Sequence, residues 1–393
     1  MSSVSIAGPV TIIGGGIGGL AVANALQRVG ANFAVYERAP ILTEVGAGIG
    51  LSPAALRVLD ALGLGTQVRA QGFEVRHARL ADKRLHVRRE LPIAPGSVCV
   101  HRAALLDILK GGLPPEKIHL GRRAVSVDTK AGEVAFHDGS RVAAPCVVVA
   151  DGIQSALRQA VFPDVRVRYI DQTIWRGIAD IEVPDVLRGG FVEIWAEGLR
   201  FLTVPMDARR TLWLAVKPEV PGGKDDPATV RERLAALFAG YHPVAGDLIR
   251  GTRGKILRGD MADLGAPRRS WHAGRVVFVG DAIHATTPNL AQGGCQAIED
   301  ALALALCLRT FENDLAAAFE ACARLRRPKA AFVVRTSWAL GRAAHARNPL
   351  HHYGYRAVLK WAPAAFLRRQ DRLLNDLTYL REVDADGILP DLN

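Results

Sequence analysis

The sequence predicts an α/β fold: a Rossmann-like domain interrupted by an inserted, mainly antiparallel β domain and followed by C-terminal helices. Three observations carry this reading. The chain opens on a β-α-β pattern built around a glycine-rich turn. Its texture changes over 166–269 to short strands separated by turns bearing Pro, Gly and Asp. A buried-strand pattern then returns in RVVFVG at 275–280, so the first domain resumes after an insertion.

Each element follows in order. PVTII at 9–13 is an apolar run ending in glycines, LAVANALQRVG has helical spacing, and FAVYE at 33–37 is a second apolar run. After the glycine-rich GAGIGL, the segment SPAALRVLDALGL puts Ser52 at an N-cap and Pro53 at the first helical position. Alternating segments at 73–90, 122–128 and 132–137, and the buried run CVVVA at 146–150, interleave with a helix opening at Arg102. In the insertion, QTIWRGIADI, FVEIWAE, RFLTVP and TLWLAV read as strands and 227–239 as a helix. A long helical segment starts near Gln292, and residues past 345 read as basic amphipathic helices interrupted by Pro349 and Pro363. The domain limits that follow are 1–165 with 270–345 for the Rossmann-like domain, 166–269 for the insertion with a contribution from 73–95, and 346–393 for the C-terminal segment.

A chain of 393 residues exceeds what one core supports, and 49% hydrophobic content supplies two. It has no apolar run of about 18 residues, and its start lacks the basic-then-apolar order of a leader, so a soluble cytoplasmic protein is expected. Cys99, Cys146, Cys295, Cys307 and Cys322 show neither paired spacing nor a His cluster, which predicts reduced, buried thiols and no metal. The net charge of +11 concentrates between Arg324 and Arg381, where the acids are Asp371 and Asp376. A solvated basic face accounts for it better than nucleic acid does. Between 364 and 381, Phe366, Leu367, Leu373, Leu374, Leu377 and Leu380 oppose Arg368, Arg369 and Arg372 on a helical projection, predicting a face that packs locally, with weak membrane contact as the alternative.

The first chemical motif is GGGIGG, where Gly14, Gly16 and Gly19 satisfy GxGxxG and Gly18 lies inside it. Such glycines provide a tight turn, backbone access to a pyrophosphate and close helix packing, with the helix N-terminus facing the phosphates. Glu37 ends the next strand where an acid receives ribose hydroxyls; Arg38 beside it and Gly50 in the following glycine-rich loop join the same dinucleotide site. This fingerprint alone does not separate FAD from NAD.

Two further motifs do. VVADGIQSALR at 148–158 contains DGxxSxxR through Asp151, Gly152, Ser155 and Arg158. VGDAIHATTPNLAQGGCQAIE at 279–299 contains GDAxHxxxPxxxQG through Gly280, Asp281, His284, Pro288, Gln292 and Gly293. With GxGxxG they resemble, in order and across the chain up to residue 345, the three signatures of the class A flavoprotein monooxygenases, the p-hydroxybenzoate hydroxylase family.

The resemblance implies FAD as cofactor and NADH or NADPH as a reductant bound in passing, since one dinucleotide fold is present. It also implies a small, aromatic or otherwise electron-rich substrate that receives one oxygen atom of O2 through a flavin hydroperoxide, by hydroxylation or epoxidation. Asp281 follows a buried strand, where it accepts from ribityl hydroxyls or caps a helix. Gln292, Gly293 and Gly294 open a helix whose N–H groups are expected to face the electron-rich edge of the reduced flavin or its pyrimidine carbonyls, and Pro288 stiffens that loop. Arg102 is set against the pyrophosphate or ribityl chain, while Asp151 and Arg158 look like the family's pair that serves FAD and the nicotinamide. His284 reads as structural, and no side chain is assigned as nucleophile or acid-base group.

Within the family the chain looks most like the branch of urate hydroxylase, 3-hydroxybenzoate 6-hydroxylase and zeaxanthin epoxidase. EGLRFLTVP matches the urate-hydroxylase pattern GxRxxxxP through Gly198, Arg200 and Pro205, and WRG at 175–177 aligns with a pocket strand. Here the chain departs: Arg176 replaces an amide, and a pocket tyrosine falls near Leu212 or Trp213, which argues against urate. Arg176, Arg200 and Trp213 are therefore the expected substrate contacts. The absence of WxWxIP argues against a flavin halogenase. A noncatalytic or membrane-associated FAD redox protein is the other reading, disfavoured by retention of Asp281 and the QGG loop. A monomer or homodimer is expected.

Overall fold

The computed structural model describes residues 8–42, 47–91, 93–312, 314–345 and 364–389. Val10–Ile13 is an inner strand of a six-stranded sheet, with Phe33–Tyr36 and Val147–Val149 parallel on either side of it. Ile118–His119 and Val276–Phe278 extend the parallel set, and His272–Ala273 joins antiparallel at one edge. The strands are buried on both faces, as a parallel sheet covered on two sides requires. Alternate residues serve different covers. Ile12, Val148 and Val277 pack with the helices Ile17–Arg28 and Gly293–Thr310, whereas Ile13, Val147, Val149 and Phe278 pack with Val134 and Phe136 of a three-stranded meander. The predicted cap is present, with Ser52 Oγ accepting from the Ala55 amide at 3.3 Å ahead of Pro53.

A seven-stranded sheet forms the second layer system, in the order Leu257–Asp263, Arg168–Asp180, Arg210–Pro218, Leu199–Pro205, Gly190–Ala196, His77–Ala81 and Val87–Leu91. All its neighbours are antiparallel except Gly190–Ala196 against His77–Ala81. The period of two divides the residues between faces. Trp175, Val192, Ile194, Phe201, Trp213 and Ala215 turn toward the helices Val230–Leu237 and Val244–Arg250. The second of these helices has no counterpart in the sequence reading, which ends its helical segment at 239. On the other face, Val204, Met206 and Leu212 pack with Ala47 and Cys99, and Ile174, Leu202, Val216 and Met261 pack beside Trp338. This second face is therefore closed by the Rossmann-like layer and the long helix Leu315–Ala344.

The C-terminal segment differs from the single helix expected over 364–381. Helix Ala364–Asn375 stops, and a short 3-10 turn spans Thr378–Glu382. The Asn375 carbonyl accepts from Arg57 and the Asp376 carbonyl accepts from Lys329 at 3.0 Å, so tertiary donors satisfy groups that a continuous helix would have bonded. Leu377 and Leu380 are buried in the first core, whereas Leu373 remains 45% exposed. Pro349 and Pro363 lie outside the described residues. The basic stretch is also not wholly a solvated face, because Arg326 is fully buried and Lys329 nearly so. All five cysteines are free and buried, and among the described residues no helix is long and apolar enough to cross a membrane.

Candidate functional site

The glycine-rich turn separates its roles by geometry. Gly14 has φ +110°, and a Cβ on it would lie 2.4 Å from the Ala150 carbonyl oxygen. A Cβ on Gly19 would meet the Gly14 oxygen at 1.8 Å, so Gly19 lets the helix approach the strand. Gly16 is different: it caps the helix Ile17–Arg28, and nothing lies within 4 Å of where its Cβ would be. A phosphate is free to approach there. Gly18 instead faces Ala297 of the helix Gly293–Thr310, at 3.4 Å from a built Cβ. Glu37 receives the Gly15 amide at 2.6 Å and the Ala39 amide at 2.8 Å, which fixes the turn and holds the carboxylate at its rim.

The second motif leaves polar groups without protein partners. Asp151 Oδ1 is buried and unbonded, and burial raises its carboxyl against the lowering effects of Ser155, Arg158 and Arg38. Gly152, at φ +87°, has open space where a Cβ would be. Arg158 is fully buried; its Nη1 donates to the Ala282 carbonyl at 3.3 Å, but Nε and Nη2 have no acceptor in the protein.

The third motif adjoins the second through Arg158 and the Ala282 carbonyl. Gly280, at φ +56°, turns the chain and donates its N–H to Asp300 at 2.9 Å. Asp281 opens the short helix Asp281–His284 and keeps access to solvent while protein atoms crowd around it. That enclosure raises its carboxyl, opposed by the charges of His284 and Arg102. Arg102, whose amide donates to the Ala47 carbonyl at 3.0 Å, also lies within electrostatic reach of Arg176. Pro288 opens a 3-10 turn that ends in Ala291 at φ +53°, and Ala291 lies 3.6 Å from a Cβ built on Gly50. Gln292 caps the helix Gly293–Thr310, and a Cβ on Gly293 would lie 3.8 Å from Asp281 Oδ1. Gly294 has a packing role, since a Cβ there would meet Ile49 at 2.6 Å.

Open space at Gly16 and Gly152, unbonded polar atoms on Asp151 and Arg158, and the accessible Asp281 lie in three segments that touch one another, Gly14 against Asp151, Arg158 against the Ala282 carbonyl and Gly18 against Ala297. Residues 8–335 match the FAD binding domain family. The chain belongs to that family. It is 36% identical over 349 residues to the aurachin C monooxygenase/isomerase of Stigmatella aurantiaca, covering 86% of this chain and 90% of the relative. It is 33% identical over 349 residues to the 3-amino-4-hydroxybenzoate 2-monooxygenase of Streptomyces cremeus, covering 86% and 87%. The solved structure of Klebsiella pneumoniae HpxO with FAD and uric acid superposes with a TM-score of 0.85 at 26% identity, covering 93% of this chain and 96% of that one. The protein is an FAD-dependent monooxygenase with NAD(P)H as electron donor.

In this flavoprotein the three residues expected at the substrate separate. Arg176 and Arg200 lie on the sheet face closed by the FAD-binding layer. Trp213 is corrected: its register partner is Gly177, so it points the opposite way, where it is fully buried, stacks near Phe201 and donates to Thr252 Oγ1 at 2.7 Å. Alternation along the strand places Leu212 and Leu214 on the face that meets the Rossmann-like layer instead. Arg200 is 1% exposed; Nε donates to Glu193 at 2.5 Å and Nη1 to Asn289 Oδ1 at 2.6 Å.

Sequence reasoning missed a buried charge network behind the third motif, joined to it through the Gly280 amide. Asp300 accepts from Gly280 at 2.9 Å, from Arg326 Nε at 2.7 Å and meets His284 Nε2 at 2.5 Å. Glu299 accepts from Arg326 at 2.7 Å, Lys329 at 2.8 Å and the Tyr379 hydroxyl at 2.7 Å. Gln296 links this network upward by donating to Gln292 Oε1 at 3.2 Å. The signal was present: Glu299 and Asp300 are adjacent acids inside the otherwise apolar helix GGCQAIEDALALALCLRT. Acids on a helix buried along its length require cations.

Proposed function

We propose that this monooxygenase oxygenates an aromatic ring held between the Pro288–Gln292 turn and the pocket face of the seven-stranded sheet. The Arg200–Asn289 hydrogen bond of 2.6 Å carries the reading, because it ties the turn that opens the cleft helix to that face. In the same reading the residues named by the motifs would hold FAD: Gly16 with Glu37 and Arg38 at the adenosine end, where Gly14, Gly18 and Gly19 shape the turn and pack its helix, and Arg102, Asp281 and Gly280 along the ribityl chain. Gly50, Pro288, Gln292 and Gly293 would border the ring system, with Gly294 packing the helix onto Ile49, while Asp151, Gly152 and Arg158 would serve the passage between cofactors. FAD, when bound, supplies electron transfer from NAD(P)H and the activation of O2.

The protein's share is placement and exclusion of water. Ile174, Ile178, Leu202, Val204, Leu212, Leu214 and Met261 supply an apolar wall suited to an aromatic body. The first N–H groups of the helix opening at Gly293 would stabilise negative charge on a bound flavin. Arg200 shapes the wall through Asn289. A relative named for 3-amino-4-hydroxybenzoate supports a single ring bearing ionisable groups. We assign residues 166–269, with 73–95, to the substrate domain, and place a monomer or homodimer in the cytoplasm, a reducing compartment that suits five unpaired thiols. The test is NAD(P)H oxidation across a panel of hydroxylated aromatics, with product mass measured under isotopically labelled O2. Incorporation of one labelled atom is expected; ligand-independent peroxide formation with every aromatic would overturn the reading.

A further inference from the structure

We propose that the substrate binds as an anion with Arg176 as its counter-ion, an inference that rests on the pocket proposed above and specifies its ligand. Arg176 lies within the strand Arg168–Asp180 and shares a face with Ile174 and Ile178. Leu214 stands opposite it on one neighbouring strand and Leu257 on the other. Leu214 touches both apolar clusters of this face, so the guanidinium occupies the seam between them. A Cβ on Gly259 would lie 3.1 Å from Nη2, so the adjoining strand accommodates the group with a glycine.

This cation is uncompensated. Its Nε is sealed from solvent without an acceptor, and among the described residues no acid pairs with it. Arg102, of the same sign, lies within electrostatic reach. The other buried arginines contrast with it. Arg200 has Glu193 at 2.5 Å, Arg326 has Glu299 and Asp300 at 2.7 Å, and Arg158 has Asp151 nearby and the Ala282 carbonyl at 3.3 Å. A guanidinium does not deprotonate in a protein, so a largely buried one that lacks an acid is stabilised by an anion brought from outside. A phosphate of the dinucleotides and an ionised aromatic acid share that chemistry. Ile174, Ile178, Leu214 and Met261 around the site favour the aromatic acid, whose ring packs against them while its carboxylate or phenolate meets the guanidinium in a fork.

The test uses the flavin-loaded enzyme and compares salicylate, 3-hydroxybenzoate and 4-hydroxyquinoline-2-carboxylate with their primary amides, reading affinity from the perturbation of flavin absorbance. An acid is expected to bind at least about 30-fold more tightly than its amide, the ratio for a buried charge-assisted pair. Arg176→Met should abolish that preference while keeping flavin content and NAD(P)H affinity, and Arg176→Lys should retain part of it. Equal affinity for acids and amides, including no binding by any acid, overturns the proposal. So does an Arg176→Met protein that loses flavin or NAD(P)H affinity with the acid preference intact, which would assign the guanidinium to a cofactor phosphate. If the Met variant does not fold, the Lys variant and the wild-type comparison decide. Labelled oxygen entering a neutral aromatic without acid preference would sink this inference and leave oxygenation standing; acid preference without oxygen incorporation would do the reverse.

Discussion

Arg200 Nη1 donates to Asn289 Oδ1 at 2.6 Å, joining the seven-stranded sheet to the turn that leads into the cleft helix. The contact is part of a relay. Glu193 anchors Arg200 from the neighbouring strand, and Asn289 Nδ2 in turn donates to the Ser337 carbonyl at 2.9 Å on the long helix. Three layers are thus registered at one asparagine beside the cleft.

Removing one side of this relay leaves a buried charge unpaired, since the Arg200 and Glu193 side chains are 2% and 7% exposed. Arg200→Ala is expected to lower stability by roughly 3–5 kcal/mol, and the double change with Glu193→Ala to recover a large part of that loss. Urea unfolding of the two variants measures it. If the single variant unfolds at the wild-type midpoint, the pair has no structural weight.

Gly16 and Gly19 belong to one motif but respond to substitution in opposite ways. A Cβ on Gly16 has no protein atom within 4 Å, so Gly16→Leu should fold with a near wild-type melt and purify colourless because the side chain fills the space a phosphate requires. Gly19→Ala places a Cβ 1.8 Å from the Gly14 oxygen and should cost stability before it costs flavin. Flavin absorbance and thermal denaturation, measured together, separate the two. A yellow Gly16→Leu protein would move the phosphate elsewhere.

Trp213 and Leu214 are adjacent in sequence and face opposite layers. Trp213→Ala should destabilise by about 3–5 kcal/mol through the cavity left in the helix-covered core, with ligand affinity of the folded fraction unchanged. Leu214→Trp should do the opposite, weakening aromatic ligands with a smaller stability change. A ligand titration in which Trp213→Ala alone alters affinity would contradict the assignment of faces.

Asp300 gives the fold an acid-sensitive component. Burial alone raises its carboxyl, but the charges and hydrogen bonds of His284 and Arg326 outweigh that and hold it below the ordinary range. An acid whose folded-state pKa is depressed stabilises the protein above its unfolded value of about 3.9 and loses that contribution as pH falls through the folded value. Asp300→Asn should therefore be less stable at neutral pH and show a flatter decline below about pH 4. Urea midpoints across that range check this, and wild-type and variant curves that run parallel would remove Asp300 from the acid limb.

The sequence by itself determined the elements whose chemistry is local. GxGxxG between a strand and a helix admits few conformations, because φ near +110° at Gly14 and the 1.8 Å approach at Gly19 require glycine. The DG and GD motifs fall on positive-φ glycines, Gly152 and Gly280, for the same reason, and Ser52 with Pro53 marked a helix start through backbone donors within one turn. Tertiary structure alone decided what depends on which face a strand presents and which charges meet across distant segments. Trp213 and Leu214 could not be assigned to one sheet face or the other until pairing with Gly177 and Arg176 set the register, since a shift of one residue exchanges the faces. The helix expected over 364–381 ends at Asn375 because Arg57 and Lys329, over 40 residues away in sequence, take its terminal carbonyls. Arg200 and Arg176 look alike in the sequence; only the fold gives one of them Glu193 and leaves the other in an apolar seam, because the pairing of buried charges is a property of space and not of sequence spacing.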